Sequence, residues 1–131
     1  LKILNVKSIQ KIFNVVLTDF KILLGCEVVN CFSTDNELNI DGVQKIDSRI
    51  IESYFNNKSI TNLSQNLKGI LLFFPNRSKI VKSYILLKIR FNKKNFIIGL
   101  GSKDFKKFTA NQQVDLVEYL IRIIEIKLTN L

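Results

Sequence analysis

Cys26 and Cys31 are the strongest nucleophiles in a chain of 131 residues that holds no histidine. Without an imidazole, neither a Ser-His nor a Cys-His nucleophile pair can form. Two thiolates cannot complete a tetrahedral site, so no metal is expected. A disulfide fails on reach if both cysteines share one strand. Five residues of extended chain span roughly 16 Å, whereas a disulfide needs Cα atoms within about 7 Å. The odd separation also sends the two side chains to opposite faces of that strand. Free structural thiols in a reducing compartment are the expectation, which places the chain in the cytoplasm. Gly99-x-Gly101 lacks the later residues of a dinucleotide motif. No catalytic residue and no cofactor is therefore expected.

A second pattern is Phe105 and Phe108 flanking Lys106-Lys107. Aromatics between lysines can stack on bases. A Phe just before a helix N-cap more often packs on that helix as a hydrophobic staple, which is the reading adopted. The net charge of +9 invites an anionic partner. Of the 20 basic residues, 16 are Lys and only Arg49, Arg77, Arg90 and Arg122 are Arg. Dedicated phosphate readers favour the planar fork of Arg. The lysines are spread out, with doublets only at 93–94 and 106–107. Abundant Ile, Asn, Lys and Phe match what AT-rich coding DNA produces. Nucleic-acid binding is accordingly the weaker alternative.

The elements that would position these residues follow from periodicity. Ile9, Ile12, Phe13, Val16, Phe20, Leu23 and Leu24 predict a helix over 8–24, capped by Ser8 and stopped by Gly25. Residues 26–33 read as a strand, and 34–42 as turns. Val43, Ile46, Ile50, Ile51 and Tyr54 suggest a second helix. Residues 59–66 fit an edge strand or a loop. Residues 67–74 fit a short buried helix or a strand, ended by Pro75. Ser83–Phe91 is the clearest strand, with Ile85, Leu87, Ile89 and Phe91 opposite Tyr84, Leu86, Lys88 and Arg90. Tyr54, Tyr84 and Arg90 either reach a cavity between sheet and helices, or Tyr84 and Arg90 share a solvated face with Lys88. A loop at 92–95 leads to an antiparallel strand over 96–100. Thr109 and Gln112 form a capping box for the last helix. Its stripe of Val117, Leu120, Ile121, Ile124, Leu128 and Leu131 is widened by Leu116, Ile123 and Ile126. That is more apolar surface than one sheet face needs, and suggests a partner subunit.

No apolar run approaches the ~18–20 residues of a membrane span. Residues 1–25 carry lysines throughout and no cleavage pattern, so they are no signal peptide. No membrane partner is expected. The element order predicts one α+β domain with a mostly antiparallel sheet.

Two stretches carry a family resemblance. Leu72-Phe73-Phe74 is followed by Val81-Lys82-Ser83-Tyr84-Ile85-Leu86. Further on, Ile98-Gly99-Leu100-Gly101-Ser102-Lys103-Asp104 runs to Phe108. Together they resemble the bacterial DUF484 family of GAF-like proteins, with its "LFG … vRSeAL" and "LALGSrD…F" patterns. The likeness covers most of 8–131 in element order and is specific over about 70–130. Lys82 stands where Arg is usual, Phe74 where Gly is usual, and Gln113 near a position often small. Lys82 keeps the charge but gives up bidentate anion recognition.

The resemblance implies a single GAF-like domain over 1–131. Its first and last helices would pack together on one sheet face, with short helices and loops on the other. Such proteins resemble longer chains with an N-terminal helical segment. A chain that opens on Leu1 and holds no Met reads as a piece of one. GAF domains bind small molecules on one sheet face or dimerise through their terminal helices. The implied pocket rim is Lys82, Ser83, Ser102 and Asp104, near one end of the sheet. A structural alternative is that Gly101-Ser102 turns the chain and Asp104 orders the next loop. The implied homodimer interface is Val117, Leu120, Ile121, Ile124 and Leu128. The expected function is a non-catalytic regulatory module, binding a small molecule of unknown identity or dimerising. The alternative is a protein-interaction scaffold whose pocket is filled by its own side chains.

Overall fold

The structure is a computed structural model and describes residues 6–55, 60–62, 67–91, 93–108 and 111–131. Along the chain it forms α1 (Val6–Leu24), β1 (Val28–Ser33), β2 (Val43–Lys45), α2 (Ser48–Phe55) and β3 (Ile60–Asn62). α3 (Leu67–Phe73), β4 (Ser83–Phe91), β5 (Lys94–Ser102) and α4 (Asn111–Thr129) follow. The strands form one mixed sheet in the order β2-β1-β5-β4-β3. β2 runs parallel to β1, and every other pairing is antiparallel. The fold is α+β.

Phe13, Val16, Phe20 and Leu24 recur on one face of α1 and are all buried. They meet Val29 and Cys31 of β1, Ile85, Leu87 and Ile89 of β4, and Phe96, Ile98 and Leu100 of β5. Val117, Ile121, Ile124 and Leu128 of α4 complete this core. The rings of Phe13 and Phe96 sit 5.0 Å apart at its centre. Because strand side chains alternate, Val28, Phe32, Tyr84, Leu86 and Ile97 point the other way. They are covered by Ile51 and Phe55 of α2 and by Ile70, Phe73 and Phe74 at α3. α1 and α4 thus share one face, and α2 and α3 lie on the other.

Several expectations need correction. The second helix begins at Ser48, not Val43. Val43, Gln44 and Lys45 pair with Cys31, Phe32 and Ser33 as a short parallel strand. Asp47 then caps the helix, its Oδ1 accepting from Arg49 N at 2.8 Å. The Gly101-Ser102 turn is also displaced. Both residues stay in β5, opposite Tyr84 and Ser83, and the turns follow over 103–108. The hairpin is tighter than a four-residue loop, because Phe91 already pairs with Lys94. Lys93 takes a left-handed φ of 64° there. Cys26 precedes β1, so strand parity does not govern it, and both cysteines enter the same core. Of residues 59–66, those at 60–62 form the edge strand, while 59 and 63–66 lie outside the described residues. Thr109 of the expected capping box also lies outside them, and of Gln112 only the helical backbone is described. Residues 67–73 are helical, and Phe74 N donates to Ile70 O at 2.9 Å before Pro75 ends the segment.

Glycines shape the second core. A Cβ on Gly99 would lie 3.1 Å from the Phe74 ring, and one on Gly101 2.8 Å from Val81. The Gly-x-Gly spacing thus lets α3 and the segment after it lie flat on β5. It serves packing and cradles no phosphate.

Candidate functional site

The four residues of the implied pocket rim do come together. Ser83 and Ser102 are register partners at the end of the β4–β5 ladder. Ser83 Oγ donates to Asp104 O at 2.5 Å, and Asp104 N donates to Ser102 Oγ at 3.1 Å. Asp104 Oδ1 then accepts from Lys106 N at 2.9 Å, forming an Asx-turn. Lys82 N donates to Ser102 O at 2.7 Å, and the Lys82 side chain is exposed. Both serines are buried, and their hydroxyls knit strand ends to loop. This favours the loop-ordering role over ligand contact. Ser83→Ala should therefore cost about 1 kcal/mol in denaturant unfolding, since one intramolecular hydrogen bond is lost. A hydroxyl reserved for a ligand would leave the unfolding midpoint unchanged.

The interface stripe divides. Val117, Ile121, Ile124 and Leu128 are buried in the chain's own core, and Leu120 is half-buried beside them. A helix packed on a sheet spends its best apolar face on that sheet. What remains for another chain is the flank. A groove of about 290 Å³ runs between α1 and α4, lined by Ile12, Val15, Leu23, Leu120 and Ile123 over a floor of Val16, Phe20 and Ile124. Lys11 and Lys127 border it. Leu23 is 60% exposed, and Val15, Leu116, Tyr119 and Ile126 are exposed too. Periodicity had marked Leu23 as a core position. The flank was legible only in the surplus width of the α4 stripe.

Sequence reasoning did not single out a second, polar cleft of about 450 Å³ lined by Thr34, Asn36 and residues 45–49. Its cations are committed within the chain. Lys45 Nζ donates to Asp35 O at 2.6 Å and also to Leu38 O. Arg49 Nη2 meets Asp47 Oδ2 at 2.8 Å. That hydrogen bond pulls the Asp47 carboxyl down to about 2.

The thiols are quiet. Burial pushes Cys26 up to about 11 and Cys31 up further. Both are free and buried, so neither is a ready thiolate at neutral pH. Neither should react with a thiol reagent at pH 7.5 in the native state, and both should react once the chain is unfolded. Folding raises these values, so their contribution to stability is complete below about pH 9, the unfolded value. For Cys26 it is lost as pH rises through about 11. Tyr84 adds the same trend, raised by burial to about 12. The urea midpoint should fall between pH 8 and about pH 10.5.

Tyr84 is fully buried, while Arg90 is exposed. Phe73 meets Tyr54 edge-on at 5.2 Å and Phe32 at 5.5 Å, and Phe74 meets Tyr84 at 5.6 Å. Aromatic rings thus fill the space between the sheet and the α2–α3 layer. Phe108 is buried in the core beneath α1 and α4, whereas Phe105 is 56% exposed. The side chains at the start of α4 that a staple would meet lie outside the described ones. Among the described residues, no group of three His, Cys, Asp or Glu is placed to hold a metal ion. No helix among them is long and apolar enough to cross a membrane. No protein-family model matches the chain, and no curated protein sequence matches it either.

Proposed function

We propose that this chain is a non-catalytic, GAF-like dimerisation module, related to the DUF484 proteins, that pairs with a second copy through its α1–α4 face. The observation that carries this reading is the apolar groove between the two helices, lined in part by the exposed side chains of Leu23 and Val15. Exposed apolar surface gathered on one face is a common mark of an interaction site. The layer order supports a GAF-like comparison, with first and last helices on one face of the sheet. The module acts in the cytoplasm, a reading supported by two free cysteines.

A small-molecule role at Lys82, Ser83, Ser102 and Asp104 has less support. Ser83 and Ser102 are tied to the loop they hold, and the aromatic core at α2 and α3 fills the other sheet face. This favours a scaffold whose pocket is occupied by its own side chains. Native mass spectrometry separates the readings. A dimer with no added mass supports the dimerisation module. A reproducible added mass would instead support a ligand sensor. A monomer at every concentration would remove the proposal.

A further inference from the structure

Three lysine-bearing segments meet at one end of the sheet. Segments 21–27, 75–83 and 101–108 build that end. Glu27 N donates to Gly101 O at 3.0 Å, and Lys82 N to Ser102 O at 2.7 Å, which fixes the three side by side. A Cβ on Gly25 would lie 3.2 Å from Lys107 Nζ, so the last loop reaches the end of α1. These segments hold seven basic and two acidic residues, a net of +5. Both acids are engaged by backbone. Glu27 Oε2 accepts from Lys103 N at 3.4 Å, and Asp104 Oδ1 from Lys106 N at 2.9 Å. Lys21, Lys79, Lys82 and Lys103 are exposed.

Apolar tips stand among these lysines. Ile22 is 83% exposed, Phe105 56% and Ile80 38%. Neither the core nor the α1–α4 groove includes them.

We propose that this end of the sheet docks on an anionic lipid bilayer, with the lysines over the headgroups and Phe105, Ile22 and Ile80 entering the interface. Lysines near a negatively charged leaflet are attracted additively, and apolar tips supply a part that salt does not screen. Surface association needs no spanning helix. A nucleic acid is a poorer match. Ile22 and Ile80 cannot stack on bases, Phe105 is the single exposed aromatic at this end, and Arg77 is its single Arg.

The test is co-sedimentation of the chain with phosphatidylcholine vesicles, with and without about a third phosphatidylserine, at about 0.1 M salt. Binding is expected to the anionic vesicles and not to the neutral ones. Lys82→Glu with Lys103→Glu should weaken it at least about thirtyfold, and Phe105→Ala roughly tenfold. Lys93→Glu with Lys94→Glu makes the same charge change at the hairpin, the opposite end of the β4–β5 ladder, and should weaken it much less. Thermal melting checks that each variant is folded. The proposal is overturned if anionic vesicles are not bound, or if the distant pair weakens binding as much as Lys82→Glu with Lys103→Glu. It is equally overturned if Lys82→Glu with Lys103→Glu abolishes binding to a single-stranded oligonucleotide while leaving vesicle binding intact.

Discussion

Gly69→Ala is expected to destabilise the fold by about 2 kcal/mol, although it replaces a glycine inside a helix. Helix propensity alone argues the other way, since Ala gains up to about 1 kcal/mol over Gly in a helix interior. Sterics decide the sign. A Cβ on Gly69 would overlap the Tyr84 hydroxyl and lie 3.0 Å from its ring carbon Cζ. Tyr84 is fully buried and packed against Phe74, so it has no free path of retreat. Overpacking a dense core costs about 1–3 kcal/mol and occasionally more, which outweighs the propensity gain. Urea unfolding of the single and double variants measures it. In a Tyr84→Phe background the overlapping oxygen is gone, so Gly69→Ala should cost distinctly less. Equal costs in both backgrounds would mean that Tyr84 is not what the new methyl meets.

Leu23→Lys should weaken self-association about a hundredfold while leaving the monomer folded. Leu23 lies in the last turn of α1, where a cation suits the helix dipole. Its exposure means that little core packing is lost. In a two-fold symmetric dimer the substitution appears twice. Losing about 1.5 kcal/mol of apolar burial at each copy gives about 3 kcal/mol, or two orders of magnitude in Kd. Sedimentation equilibrium of both forms reads this directly. Val28 offers no such handle, because it is buried in the α2–α3 core. An unchanged Kd for Leu23→Lys would place any self-association elsewhere.

Periodicity revealed the long elements because each has one dominant burial face. α1 and β4 were legible from Phe13, Phe20, Ile85 and Leu87, whose spacing matches a helix and a strand. Short elements were not. Val43-Gln44-Lys45 carries too few residues to show a period, and its strand state comes from pairing with β1, a contact distant in sequence. Gly101-Ser102 looks like a turn locally but continues β5, because β4 and the chain before β1 flank it on both sides. The rim residues were found together, as their positions at two strand ends required. Their hydrogen bonds were not legible, since Ser83 and Asp104 are 21 residues apart and only the loop's path joins them. The α4 stripe was read as an interface where it is mostly core. One helix cannot tell from its own sequence which part of a wide apolar face the sheet will take.

The most direct measurement is amide hydrogen exchange at protein concentrations above and below the dimer midpoint. Added protection at high concentration is predicted over residues 11–23 of α1 and 116–127 of α4, and nowhere on α2 or α3. Protection confined to α2 and α3, or exchange that ignores concentration while the chain stays monomeric, would contradict pairing through the α1–α4 face.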